Sequence, residues 1–310
     1  MENFKTIKFL DNPLVFWSHF VSLMVFLSCS PSPQEVDRIV IDDLGHRVRI
    51  KREVKKIVSL VPTNSEMVCL LDCSRLKGAT RFNRFPEELV TRVREKKIKI
   101  IGGGFDLSLE SIVKIGPDLI LSNGPSQQRV VLPLKKMGYP VLSLWPDDID
   151  AIKRNFLLLG KILNRKAKAE KILKGVEDGL RELAKSTRGK TKKRVYIQTW
   201  HDPIITIGRD SFPQTLLSLA GGTNIFSDML FNSGKVNVEW IIQRNPEVLI
   251  FTENQKEAVK RILTLPAWRL IDGIRKRHLC FIDRAYLRPT IQFIEGVKRI
   301  HACLFESNLS

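Results

Sequence analysis

Apolar and polar positions recur along this chain in two matching blocks. The stretch "SLESIVKIGPDLILS", Ser108 to Ser122, aligns without gaps on "NVEWIIQRNPEVLIF", Asn237 to Phe251. Each opens with a helix-capping residue type, Ser108 or Asn237. An aliphatic residue and a glutamate follow, Glu110 or Glu239, and then an apolar pair, Ile112-Val113 or Ile241-Ile242. The helical pattern stops at Gly116 or Asn245, ahead of Pro117 or Pro246. An acidic residue and a continuous apolar run then predict a buried strand. A short helix feeding a strand thus occurs twice.

The flanking pattern repeats as well. "KKIVSLVP" (55–62) and "KKRVYIQTW" (192–200) predict strands with basic flanks and β-branched interiors. After the first strand, Thr63-Asn64-Ser65-Glu66 has capping-box spacing ahead of the helical run "MVCLLDC". After the second, "SFPQTLLSLAGGTNIF" predicts a helix that stops at Gly221-Gly222. Between the halves, Asp150 to Ala184 reads as helix interrupted between Gly160 and Asn164. Its second part carries an apolar stripe at Ile172, Leu173, Val176, Leu180 and Leu183. About 20 residues at ~1.5 Å rise span roughly 30 Å, the width of a small lobe. The pattern predicts an α/β chain: two Rossmann-like lobes with mostly parallel sheets, joined by a single long rigid helix, with a ligand cleft between the lobes.

The first residues follow a different pattern. Leu14 to Leu27 is an apolar run too short to span a bilayer comfortably, and Lys5 and Lys8 precede it. It reads as the apolar core of a signal peptide, with an uncleaved N-terminal anchor as the alternative. Phe26-Leu27-Ser28-Cys29 resembles the bacterial lipoprotein signal, with Phe26 where that pattern prefers leucine. On that resemblance Cys29 is the lipidation site, and "SPSPQE" is a flexible tether. The predicted organisation is 1–28 signal peptide, 29–37 tether, 38–147 first lobe, 148–190 connecting helices and 191–310 second lobe.

Composition changes the picture in two respects. The 310 residues carry a net charge of +18, and Glu2, Lys5, Lys8 and Asp11 cancel, so a chain beginning at Cys29 keeps it. Such a charge favours anionic surfaces and ligands. The basic residues are spread along the chain, with no zinc spacing and no RNA-binding aromatic signature, which argues against nucleic acid. The other four cysteines, Cys69, Cys73, Cys280 and Cys303, include no CxxC pair. Cys69 and Cys73 lie one helical turn apart on an apolar stretch and read as buried small hydrophobes. A disulfide among the four is compatible with an oxidising compartment, but the sequence does not pair them.

Strand then "PTNSE", "SLESIVKIGPDLILS", the connecting helix, "AGGTNIF" and "VNVEWIIQRNPEVLIF" together resemble the helical-backbone class of ABC-transporter substrate-binding proteins, in the branch that carries cobalamin, ferric siderophores and haem. The resemblance covers nearly all of residues 38–306. It implies an importer subunit, monomeric, with no cofactor of its own. Its partners would be a permease dimer with ATPase subunits, and it would be held at the periplasmic face of the membrane by the lipid on Cys29. The implied ligand is cobalamin, with a ferric siderophore or haem as the alternative. Glu110 and Glu239 match the glutamates that dock such proteins to permease arginines.

The cleft of this family is lined by loops at strand ends, which here supply Pro62, Thr63, Phe82, Phe85, Phe105, Trp200, His201, Tyr286 and Arg288. Aromatic rings suit a flat macrocycle. Arg81, Arg84 and Arg288 suit acidic groups on a ligand. His201 is an axial-ligand candidate for cobalt or iron, and no protein-held metal is implied. Cobalamin binders of this class can carry a disulfide in the second lobe. Cys303 matches one partner and Ala220 stands at the other, so that bridge is absent here. An enzyme is the rival reading, but "GGGF" lacks the spacing of a dinucleotide fingerprint and no catalytic triad or paired-carboxylate arrangement stands out. A lipoprotein adhesin or structural surface protein is a further rival, which would not need two docking glutamates on symmetric lobes.

Overall fold

The computed structural model describes residues 37–104 and 106–306. The predicted signal segment, Cys29, most of the predicted tether and Phe105 lie outside the described residues. The chain enters through an antiparallel hairpin, β1 (Arg38–Ile41) and β2 (Arg47–Ile50). The first lobe then follows in alternating order: β3 (Ile57–Ser59), α1 (Pro62–Asp72), β4 (Leu76–Ala79), α2 (Glu87–Arg94), β5 (Lys99–Ile100), α3 (Leu109–Ile115), β6 (Leu119–Ser122), α4 (Gln128–Lys136) and β7 (Val141–Ser143). The sheet order is β5-β4-β3-β6-β7 and every pairing is parallel. β3, β6 and β7 are buried on both faces, as a sheet covered by helices on either side requires.

Two helices lead to the second lobe, α5 (Ile149–Ile162) and α6 (Lys166–Thr187). The break, residues 163–165, overlaps the predicted Gly160–Asn164 interruption, and Asn164 takes a positive φ of 57°. Gly160 has a packing role there: a Cβ on it would lie 2.7 Å from that of Ala169, so its absence lets α5 and α6 close together. The 22 residues of α6 span about 33 Å at ~1.5 Å each. Its predicted stripe faces inward, with Leu173, Val176 and Leu183 buried. These residues join one core with Phe156 and Leu159 of α5, and that core runs through both lobes.

The second lobe contains β8 (Lys193–His201), β9 (Ile204–Ile207), α7 (Phe212–Leu219), β10 (Gly222–Asn224), β11 (Ser233–Lys235), α8 (Val238–Arg244), β12 (Val248–Thr252), α9 (Lys256–Ile262), α10 (Asp272–Arg275), β13 (Leu279–Ile282) and α11 (Phe293–Phe305). Parallel pairing holds for β10, β8, β12 and β13, whereas β9 is reversed and pairs antiparallel with β8 on one side and β11 on the other. The mixed character comes from the segment "TWHDP". It was expected to be an open loop at a strand end. Instead β8 continues through His201 and turns back at Asp202-Pro203 into β9.

The four cysteines that the sequence left unpaired form two bridges. Cys69 and Cys73 are buried as foreseen but are joined to each other. Cys303 is joined to Cys280 with Cα atoms 6.1 Å apart, tying α11 to β13, a different bridge from the one that Ala220 excludes.

Candidate functional site

The two repeated blocks fold alike down to their polar contacts. Ser108 Oγ accepts from Ser111 N at 3.1 Å, and Asn237 Oδ1 accepts from Trp240 N at 2.9 Å. Each helix ends in a left-handed residue, Gly116 (φ 62°) and Asn245 (φ 39°). The acid after each proline then ties the strand to its neighbour. Asp118 Oδ2 accepts from Lys55 N and Lys56 N at 3.0 and 2.9 Å, and Glu247 Oε2 accepts from Arg194 N at 3.0 Å. Burial alone would raise the Asp118 carboxyl, but these N–H groups and Lys51 hold it below the ordinary value. The Arg194 N–H does the same for Glu247. Glu110 and Glu239 are exposed in the first turns of α3 and α8. Each helix feeds the following strand through a short corner and runs back along it, so both glutamates lie at the carboxyl ends of the parallel strands.

The repeat extends further than the sequence pattern indicated. With a one-residue gap, Gln127 falls on Gln255. Gln127 Nε2 donates to Leu60 O at 2.9 Å, and Gln255 Nε2 donates to Gln198 O at 3.0 Å. Both glutamines are buried, and each locks the turn after its strand (β6 or β12) to the central strand of its sheet, just past the end of β3 or within β8.

Between the lobes lies a cavity of about 800 Å³. The first lobe lines it with Pro62 after β3 and with Phe82 and Arg84 after β4. The second lobe contributes Glu253 and Asn254 after β12, and Asp283, Arg284, Ala285 and Arg288 after β13. All are at carboxyl ends of parallel strands, where open α/β sheets bind ligands. The volume is that of a small-molecule site. Three arginines face two carboxylates, so the lining is net positive.

The loop carrying Phe82 is braced from below. Arg81 Nη2 donates to Asp106 Oδ2 at 2.6 Å, and Gly103 N donates to Asp106 Oδ1 at 2.8 Å. The Gly103 N–H and Arg81 hold the Asp106 carboxyl below its ordinary value. A Cβ on Gly103 would come within 3.1 Å of the Phe82 ring, so glycine admits the aromatic. Among the described residues, no cluster of three His, Cys, Asp or Glu side chains could hold a metal ion.

Two contacts join the lobes at the edge of the cavity. Arg288 Nη2 donates to Glu66 Oε1 at 2.6 Å, from the second lobe to α1 of the first. Phe85 stacks on Tyr286 with ring centroids 5.0 Å apart and 19° between planes. Glu66 therefore does not close a capping box. α1 starts at Pro62, its N-cap Val61 offers no side chain, and Glu66 is turned into the interior with no exposure. Burial pushes its carboxyl up to about 8, against the pull of Arg288 and the Thr290 hydroxyl.

The structure gathers some of the anticipated ligand residues and disperses others. Pro62, Phe82 and Arg288 line the cavity; Thr63, Phe85, Trp200, His201 and Tyr286 do not. Phe85 and Tyr286 are occupied with each other, and the Arg299 guanidinium lies 4.1 Å from the Tyr286 ring centre. The Trp200 indole donates to Asp202 O at 2.7 Å within the β8–β9 turn and lies against His201, with 5.4 Å between ring centroids. Both are held by the hairpin that replaces the expected loop. Thr63 is half-buried in the first turn of α1. Phe105 is outside the described residues. Glu66, Glu253 and Asn254 were missed. The last two were within reach of the repeat, had it been followed past Phe251.

Comparison with known proteins agrees with this geometry. The family model described as periplasmic binding protein matches residues 57–286. An ABC transporter substrate-binding lipoprotein of Bacillus subtilis is 26% identical over 261 residues, covering 80% of this chain and 79% of that protein. A vitamin B12-binding protein of Salmonella typhi is 26% identical over 209 residues, covering 66% of this chain and 75% of that protein. A solved structure from an ABC-type Fe3+-hydroxamate transport system of Saccharomonospora viridis superposes with a TM-score of 0.68 at 18% identity, covering 86% of this chain and 98% of that one. Two αβ lobes, a helical connection, a cleft at the strand ends and a family match over most of the chain lead to one assignment: the chain belongs to the periplasmic binding protein family, the solute-binding and non-enzymatic components of ABC transporters.

Proposed function

We propose that this protein captures a cobalt corrinoid, cobalamin, in the cleft between its lobes and delivers it to an ABC permease, to which Glu110 and Glu239 dock. The observation that carries the reading is the cavity of about 800 Å³ walled by both lobes at their strand ends. Exposed Phe82 offers a ring for a macrocycle face, and Arg84 and Arg288 offer donors for its polar rim. The vitamin B12-binding relatives support this choice of solute. A ferric siderophore is the second reading, favoured by three arginines in the lining and by the hydroxamate-system neighbour. Cys29 holds the protein at the outer face of the membrane, a reading supported by the lipoprotein relative.

The test is titration of the purified chain with cyanocobalamin, haem, a ferric hydroxamate and a ferric catecholate, followed by calorimetry. Saturable one-to-one binding of cyanocobalamin at micromolar or lower concentration is the expected result. Binding confined to the iron chelates replaces the first reading by the second. Fractionation of cells expressing Cys29→Ala should show the protein released from the membrane, and retention there refutes the anchor.

A further inference from the structure

The carboxyl group of Glu66 has only half of its hydrogen bonding satisfied. Oε1 accepts from Arg288, whereas Oε2 is buried and lacks a partner at good hydrogen-bonding geometry, the Thr290 hydroxyl being near enough only to favour the ionised form. Its side chain has no exposure. Arg288 is gripped from two sides: Nη2 binds Glu66 of the first lobe, and Nε donates to Ala285 O of its own segment at 3.4 Å. The Phe85 ring centre lies 5.9 Å from the guanidinium carbon. A guanidinium has five N–H donors, and these contacts use two of them. A planar fork held this way loses little entropy on meeting a pair of acidic oxygens. Arg288 also lines the cavity, together with Arg84 and Arg284.

Resting on the assignment of this cleft as the solute site, we propose that Glu66 is the positioning residue of an anion subsite: it holds Arg288 across the lobe boundary so that the remaining guanidinium donors receive a phosphate or carboxylate group of the solute.

The charge balance at Glu66 suits that role. Burial pushes the carboxyl up to about 8, and among the described residues the charged groups acting on it are Arg288, which lowers it, and Asp283, which raises it. At neutral pH the carboxyl is mostly protonated, so Glu66 grips Arg288 without neutralising it. An acidic group seated on Arg288 raises the carboxyl further. Binding therefore takes up a proton above pH 8, and affinity falls as pH rises through that value.

The experiment is calorimetric titration of the purified chain with probe pairs that differ in an acidic group. Haem is set against its dimethyl ester, which lacks only the free carboxylates, cyanocobalamin against dicyanocobinamide, which lacks the nucleotide arm with its phosphate, and an anionic ferric catecholate against a neutral ferric hydroxamate. The acidic member of a pair that binds should bind about tenfold or more tightly. Arg288→Gln should remove that preference and Arg288→Lys restore part of it. Wild-type affinity for the acidic member should fall by up to ~10-fold per pH unit above pH 8. Glu66→Gln keeps the Oε1 acceptor but cannot ionise, and should flatten the profile. Asp283→Asn removes a charge that raises the Glu66 carboxyl, and should move the profile to lower pH even if the Glu66 variant does not fold. Binding without preference for the acidic member, or a profile unchanged in both variants, overturns the subsite and leaves the cleft reading standing. No binding by any probe overturns both.

Discussion

Glu66 shows how far a residue's role can lie from its sequence context. Its spacing after Thr63 is that of a capping box, and its partner Arg288 is 222 positions away. Local pattern cannot reveal such a contact, because the contact exists only once two lobes have assembled. The same holds for Phe85 and Tyr286: both are aromatics in strand-end loops, and only the assembled chain shows that each ring is stacked on the other. The buried carboxyl has a consequence for stability. The folded protein keeps the Glu66 proton up to about pH 8, whereas an unfolded glutamate releases it near 4.5. Between those values the folded state binds more protons than the unfolded one, so this group's contribution falls as pH rises through the window. Urea unfolding at pH 5, 6.5 and 8 should show Glu66→Gln gaining on wild type at each step. A difference independent of pH contradicts the buried, protonated carboxyl.

At the scale of elements, the most legible features were those that repeat. The capping residues, the glycine and asparagine stops, the acids after the prolines and the strands behind them were all visible as pattern, because each is a local rule of helix or strand chemistry. The β8–β9 hairpin was not visible. "TWHDPIITI" contains the strong turn signal Asp202-Pro203, but a strand ending at the cleft and a strand turning into a hairpin have the same alternation. That ambiguity hid the hairpin that holds Trp200 and His201.

Helix α11 offers a test of how an element positions the site. A Cβ on Gly296 would fall 2.1 Å from the backbone oxygen of Tyr286, so α11 sits directly on the segment that carries Tyr286 and Arg288. Gly296→Ala should force the two apart, costing about 1–3 kcal/mol as overpacking does. Thermal unfolding measures that cost. Solute affinity measured well below the transition should fall as well, since Arg288 moves with the segment. An unchanged melting temperature would show that α11 shifts without strain.

At the scale of the whole molecule, the internal repeat carries the argument for docking. Lobes built on one repeated pattern place equivalent groups at equivalent ends of their sheets, and here Glu110 and Glu239 are exposed at the first turns of matching helices on the side where the cleft opens. Neither has an ion-pair partner among the described residues, although the chain carries 51 lysines and arginines. A carboxylate in a first turn gains only a little from the helix dipole, so both remain free for a cationic partner. The helices differ beside the glutamates: Trp240, next to Glu239, is 41% exposed, whereas Ser111 stands next to Glu110. Glu110→Lys with Glu239→Lys should leave folding and solute affinity intact, because neither residue lines the cavity. If the two glutamates dock as proposed, uptake of labelled solute by cells should be abolished, since each reversed charge would meet a permease arginine and like charges at an interface cost several kcal/mol. Each single reversal should give a partial defect, larger for Glu239 if the neighbouring indole is buried on docking. Normal uptake by the double variant rules out docking through this pair. Lost solute binding by the purified variant would instead place the two glutamates in the cleft.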